Sequence, residues 1–247
     1  MNIWFLGTAG WIPGENETSS FLVEHQDQLF LLDAGTGVSN LRHYTHILDR
    51  YDALHVLLSH YHLDHTVGLI YLDPYVRSKR LRIYGPGKMA YDSSTDTYLR
   101  ELLRKEFFSR GIDRFSDDVE CIDFPGPEFR IGPTRITVAQ QKHSAPSFRI
   151  GLDDQLLYAT DTAFEKEAWG NIRAQVLLHE CWEHEHSGSD RHTSVQQLKQ
   201  ELLPEHFGRI FLIHHNPFWT EEDWAQIRAD IAGTNIEIAT DGVCLTL

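Results

Sequence analysis

Residues 57 to 69 read LLSHYHLDHTVGL and place His60, His62, Asp64 and His65 directly after an apolar run. Imidazole nitrogen and carboxylate oxygen are borderline-to-hard donors that suit Zn, Mn or Fe. His60 and His62, two residues apart, can project to one side of a strand-to-loop turn and grip one ion. Asp64 and His65 then face a second. Two ions need further ligands, and other apolar runs end in them: His143 follows TRITVAQQK, Asp161 closes QLLYAT, and His214 ends RIFLI with His215 beside it as a rival. A pair of divalent ions makes hydroxide from water near neutral pH and clamps the attacking and leaving oxygens of a phosphoester. The chemistry to expect is hydrolysis by a metal-bridging hydroxide, with Asp64 steering its proton.

Such ligands converge only if strands end at a common edge. Short runs rich in Ile, Leu, Val and Phe, bounded by Gly, Pro, Asp and Asn, predict strands at 2–6, 20–24, 29–33, 53–59, 81–84, 129–131 and 134–140. Further runs follow at 148–152, 155–160, 174–180, 209–214, 236–240 and 243–247. Helical patterns lie between them, at roughly 36–50, 66–74, 94–110, 163–170, 192–203 and 220–232. In the fifth, Val195, Leu198, Leu202 and Leu203 share a face and Pro204 stops the helix. Helices inserted among many strands suit an α+β chain, two mixed β-sheets packed face to face with helices outside. No repeat or linker divides the chain, so one domain over 1–247 is expected.

Composition narrows the partners. A net charge of −14 over 247 residues argues against general nucleic-acid or anionic-membrane binding. Between Arg77 and Arg114, however, ten Lys or Arg stand against five Asp or Glu. That stretch is either a solvated surface or one wall of a mouth that attracts an anionic substrate. Cys121, Cys181 and Cys244 are odd in number and form no CxxC pair, which suits a reducing cytosol and predicts a cytoplasmic protein. MNIWFLGT lacks a basic leader segment, and no stretch of 18 apolar residues predicts a membrane span. His184 and His186 sit in the polar stretch EHEHSGSDRH with no strand to aim them and are read as surface residues.

The HxHxDH loop, followed in order by His143, Asp161 and His214, resembles the metallo-β-lactamase superfamily of dinuclear hydrolases. FLGTAGWIP, TSSFLV and FLLDAGTG resemble the N-terminal strands of its ribonuclease Z-like branch, and LLHECW, RHTS and LIHHNP resemble its C-terminal signatures. The resemblance implies a four-layer αββα sandwich with the site on one edge. It implies a first ion on His60, His62 and His143, a second on Asp64, His65 and His214, and Asp161 bridging both. It favours His214 over His215, because the ligand directly follows the strand. His192 of RHTS matches the family's non-ligand histidine, a general acid for the leaving group, and Glu180 of LLHECW matches its partner carboxylate. A carboxylate beside His192 should raise its pKa and keep a proton available.

The chain also departs from ribonuclease Z. Only 17 residues separate His143 from Asp161, leaving no room for the long tRNA-gripping arm of that enzyme. Its Gly-Tyr after the third histidine is absent, and Thr160 precedes Asp161 where a glycine is usual. These departures move the expectation towards compact relatives that cleave small phosphodiesters of the cyclic nucleotide or cyclic ribose phosphate type. Residues 9–17 contain no Cys, so the extra cysteine-based zinc of the phosphonate-pathway relative is not expected. The expected cofactors are two divalent ions, Zn first, with Mn or Fe compatible. The expected partner is a small anionic phosphoester; long RNA and membrane are disfavoured, and a homodimer is an analogy with relatives. Alternatives are a tRNA 3′-processing endoribonuclease without the arm, a hydrolase of carboxyl esters, lactones or thioesters, and a metal-binding scaffold that has lost catalysis. Redox di-iron chemistry is disfavoured, because such relatives carry Glu where this chain has His62.

Overall fold

The computed structural model describes residues 1–185, 188–202 and 206–247. His186, Leu203 and Pro204, named above, lie outside the described residues. The first sheet contains β1 (Asn2–Gly7), β2 (Ser20–His25), β3 (Gln28–Leu32), β4 (Ala53–Leu57), β5 (Arg80–Gly85) and β6 (Asp118–Asp123). β14 (Cys244–Thr246) lies outside β1, giving the order β14-β1-β2-β3-β4-β5-β6. The second contains β7 (Glu128–Ile131), β8 (Thr134–Gln141), β9 (Ser147–Leu152), β10 (Leu156–Ala159), β11 (Ala174–Glu180), β12 (Phe207–Ile213) and β13 (Ile236–Ile238), and its order is β13-β12-β11-β10-β9-β8-β7. The pairs within β3-β4-β5-β6 and within β10-β11-β12-β13 are parallel, and the remaining pairs are antiparallel.

Both faces of each sheet are covered, which explains why the strands read as continuous apolar runs rather than alternating ones. Phe5, Phe21, Phe30, Phe148, Tyr158 and Phe211 belong to the layer between the sheets. There Phe5 meets Phe21 of its own sheet and Phe211 of the other edge-on, at 5.3 and 5.1 Å between ring centres. Outward-facing Leu22, Leu29 and Leu31 pack under Val38, Leu41 and Leu69 of 3-10 turns, and under Leu99. Leu177, Ile210 and Leu212 pack under Val195, Leu198, Ile227 and Ile231. The result is the four-layer αββα sandwich.

The helices are shorter than the apolar patterns suggest. They are α1 (Thr45–Leu48), α2 (Asp73–Val76), α3 (Thr95–Leu102), α4 (Val195–Glu201) and α5 (Glu221–Ile231). Residues 36–43, 67–71 and 166–168 form 3-10 turns where α-helix was expected. α3 ends eight residues before the expected 110. α4 and α5 start on capping boxes, Ser194 with Gln197 and Thr220 with Asp223. β6 was not anticipated. Its sequence DVECID mixes acids with half-buried apolar residues, because it is the sheet's edge strand.

β8, β10, β11 and β12 end at the same edge of the second sheet, and β3 and β4 end at the facing edge of the first. His60, His62, Asp64, His65, His143, Asp161 and His214 follow those ends, Glu180 stands at one, and His192 lies in the connection from β11 to α4.

Candidate metal centre

At that edge the structure brings together two groups of donor atoms, each within 4.8 Å of one another: His60, His62 and His143, and Asp64, His65, Asp161 and His214. Asp161 sits between them. Its Oδ1 is 3.5 Å from His143 Nε2; its Oδ2 is 3.6 Å from His60 Nε2, 2.6 Å from His65 Nε2 and 3.2 Å from His214 Nε2. Asp64 Oδ2 lies 3.4 Å from His65 Nε2 and 3.3 Å from His214 Nε2. His215 is turned away: its Nε2–H donates to Leu212 O at 2.7 Å and its ring packs on Trp224.

The imidazoles are aimed from behind. His65 Nδ1–H donates to Asp33 Oδ2 at 2.7 Å. His60 Nδ1–H donates to Ser59 Oγ at 3.0 Å, and Ser59 Oγ–H donates to Asp33 Oδ2 at 2.7 Å. His143 Nδ1–H donates to Arg191 O at 3.0 Å. Each bond fixes a tautomer whose Nε2 faces the cluster. Asp33 also accepts from the Ser59 N–H and the Tyr158 hydroxyl, so one buried carboxylate organises both donor groups. Sequence reasoning missed Asp33, Ser59 and Tyr158; the signal for the first was a carboxylate inside the apolar run FLLDAG.

Backbone geometry adds to the aim. Of the seven described non-glycine residues with left-handed φ, four are here: Trp11, Asp33, Asp161 and His214. Such conformations cost free energy and gather where structure over-determines them. Gly10 lets the chain pass against His214, since a Cβ there would sit 2.5 Å from its Nδ1.

Electrostatics follow from burial. Desolvation opposes charge on Asp161 and Asp64, but the surrounding imidazoles hold both carboxyls far below the ordinary range. His65 is pushed well up, because the carboxylates of Asp64, Asp33 and Asp161 outweigh its desolvation. Burial pushes His60, His62 and His143 down, leaving them neutral, as a metal ligand must be. His60 Nε2 is buried and has no hydrogen-bond partner. An orphaned nitrogen in a ring of N and O donors fits a divalent cation.

His192 and Glu180 adjoin the cluster, with His192 Nδ1 3.1 Å from Glu180 Oε1 and 3.8 Å from Asp161 Oδ1. The expected rise in the pKa of His192 is not found. Burial pushes the imidazole down despite the carboxylates around it. Burial, with the charge of Asp161, pushes Glu180 well up instead. Burial is the largest cause on both sides. Trp182 stacks on His192 with ring centres 5.0 Å apart.

The cluster opens into a cavity of about 200 Å³ whose lining includes Trp11, Ser144, Trp182, Arg191 and His192. No residue of the basic stretch 77–114 lines it. Arg77, Arg82, Arg100, Arg104 and Arg110 are paired with acids, and Lys79 donates to the carbonyls of Leu48 and Tyr51. The cation at the mouth is Arg191. His184 lies away from the cavity on Asp230, at 2.6 Å.

The family model described as Anti-Pycsar protein Apyc1 matches residues 1–233. The chain belongs to this family. Ribonuclease Z of Methanopyrus kandleri is 30% identical over 183 residues, covering 70% of this chain and 58% of that protein. Ribonuclease Z of Metallosphaera sedula is 29% identical over 113 residues, covering 43% of this chain and 38% of that one. The chain thus spans between about two fifths and three fifths of the curated relatives it matches. Among solved structures, the metallo-β-lactamase fold protein YhfI from Bacillus subtilis aligns with a TM-score of 0.74 at 20% identity, covering 99% of both chains. The short form of human tRNase Z aligns at 0.70 and 15% identity, over 100% of this chain and 99% of that one. A diphosphatase of the PhnP family aligns at 0.69 and 14% identity, over 100% and 97%. These likenesses identify a metallo-β-lactamase fold related to ribonuclease Z.

Proposed function

We propose that this family member is a dinuclear metal-dependent phosphodiesterase acting on small anionic substrates of the cyclic nucleotide or cyclic ribose phosphate type. The observation that carries this reading is Asp161, which lies between the two donor groups, its Oδ1 3.5 Å from His143 Nε2 and its Oδ2 3.6 Å from His60 Nε2 and 2.6 Å from His65 Nε2. On this reading His60, His62 and His143 would hold one ion and Asp64, His65 and His214 the other, with Asp161 between the two groups. Zn is the metal we favour; Mn and Fe suit the same donors. When bound, the ions supply a hydroxide nucleophile at neutral pH and neutralise the phosphate. Asp64, held through Oδ2 by the Trp11 N–H at 3.0 Å, steers the nucleophile's proton. His192 keeps Nδ1 on Glu180 and would give its Nε2 proton to the leaving alkoxide, and the proton released by the attacking water returns to the imidazole through solvent. The three cysteines are unpaired, which fits a reducing cytosol, where we place the protein.

RNA 3′-processing is a second reading, favoured by the 30% identity to a ribonuclease Z. The 17-residue connection from His143 to Asp161 and the net charge of −14 count against it. Purified protein assayed on a cyclic nucleotide, bis-nitrophenyl phosphate, a lactone and a precursor tRNA separates the readings. Expected are two ions per chain by elemental analysis and chelator-sensitive turnover of the two small phosphodiesters. A chain holding one ion overturns the dinuclear reading, and lactone turnover alone moves the protein to carboxyl-ester chemistry. Two bound ions without turnover on any substrate mark a scaffold.

A further inference from the structure

Trp11 is an anomaly at the cavity rim. A large apolar side chain is 57% exposed, on a backbone with φ of +56°, a conformation that bulky residues rarely adopt. Its N–H explains the backbone, since it donates to Asp64 Oδ2. It does not explain the indole. That ring lines the cavity and meets Phe218, itself 66% exposed, at 5.8 Å between centres and 70° between planes. The near-perpendicular contact braces the indole without stacking on it. Trp182, the other indole of the cavity, is already stacked on His192. Two exposed aromatic rings beside a cluster of charged donors form an apolar ledge at a polar site, an arrangement that marks binding rather than packing.

Resting on the phosphodiesterase reading, we propose that Trp11, braced by Phe218, is a stacking ledge for the planar ring of a nucleotide substrate. It sets affinity and selects base-bearing over base-free phosphodiesters. Stacking on an aromatic side chain accepts any base, because every base has a π-face, and its loss on alanine substitution weakens binding roughly 5- to 100-fold. Arg191 at the same mouth suits the phosphate of such a substrate.

The test compares wild type, Trp11→Ala, Trp11→Phe and Phe218→Ala on 3′,5′-cyclic AMP and on a base-free cyclic ribose phosphate. Separately, AMP and ribose 5-phosphate are titrated against each protein, following indole fluorescence and heat. Expected is a KM for cyclic AMP raised about tenfold or more in Trp11→Ala, partly restored in Trp11→Phe, and a smaller rise in Phe218→Ala. The base-free substrate should show no such KM difference, and AMP should quench wild-type fluorescence more than it quenches Trp11→Ala. Elemental analysis of Trp11→Ala establishes that the Asp64 side still holds metal. Unchanged KM and unchanged AMP affinity in Trp11→Ala overturn the ledge while leaving the phosphodiesterase intact. If no phosphodiester is turned over, the phosphodiesterase reading fails alone, and the AMP titration still decides the ledge.

Discussion

Asp33 Oδ2 lies 2.7 Å from His65 Nδ1, with both side chains fully buried. The same carboxylate receives Ser59, through which His60 is held. One residue that touches no cation therefore orients an imidazole in each donor group. Asn at position 33 would keep one acceptor and turn an N–H₂ towards groups that all donate. Metal affinity should fall about 10- to 100-fold, as when such outer partners are lost elsewhere. Stability should fall by about 1–3 kcal/mol for the unsatisfied buried donors. Competition with a chromogenic chelator and a thermal melt measure both, and wild-type affinity in Asp33→Asn would refute the role.

His192→Ala separates protonation of the leaving group from the rest of the site. A general acid contributes about 10²–10⁴-fold, so kcat on a cyclic phosphodiester should fall by that order. Bis-nitrophenyl phosphate, whose leaving group needs no proton, should lose far less. Equal losses on the two substrates would mean that His192 acts on metal or phosphate instead.

Gly10→Ala tests the close passage of the chain against His214. The new methyl would sit 2.5 Å from Nδ1 and 2.6 Å from Cε1 of a buried ring. The ring must move, and displacements of about 1 Å at a reacting centre cost about 10²-fold. Occupancy of the ion assigned to Asp64, His65 and His214 should fall before that of its neighbour, which two-step metal titration resolves. Full occupancy and full rate would show that the loop yields instead.

Asp241 predicts an unusual pH dependence. It accepts from the Thr8 hydroxyl at 2.9 Å and the Glu17 N–H at 2.7 Å, clasping the loop that carries Trp11. Burial, with the charge of Glu17, raises its carboxyl from 3.8 to about 6 despite those bonds. The folded protein thus holds this proton more tightly than the unfolded chain. The resulting stability is full below pH 3.8 and is lost as the pH rises through about 6. Allowing for solvent screening of a part-exposed group, the change is about 1–2 kcal/mol. The unfolding free energy of Asp241→Asn, taken relative to wild type, should therefore climb by that amount from about pH 4 to pH 7. A flat difference in denaturant titrations over that range would show that Asp241 does not titrate this way.

The two-sheet architecture was legible because strands buried on both faces are uninterrupted apolar words, such as SFLVE and LLYA. The cluster was legible because its members stand at the ends of such words. What stayed hidden depends on three-dimensional context. β6 lies at an edge, where half its residues need no apolar character. The pKa directions of His192 and Glu180 depend on how deeply the pair is buried, which spacing does not report. The basic run 77–114 could be read as a solvated surface or as a wall of the mouth, and its arginines are mostly spent on neighbouring acids. Nothing in the letters W, D or H announces a left-handed backbone at Trp11, Asp33, Asp161 and His214.

Those four left-handed turns have a kinetic meaning. If their conformational cost is met when the chain folds, the receptacle is shaped before any ion arrives. Ion capture should then resemble filling a mould: fast, with little heat-capacity change, and with the surrounding backbone almost unmoved between the empty and loaded protein.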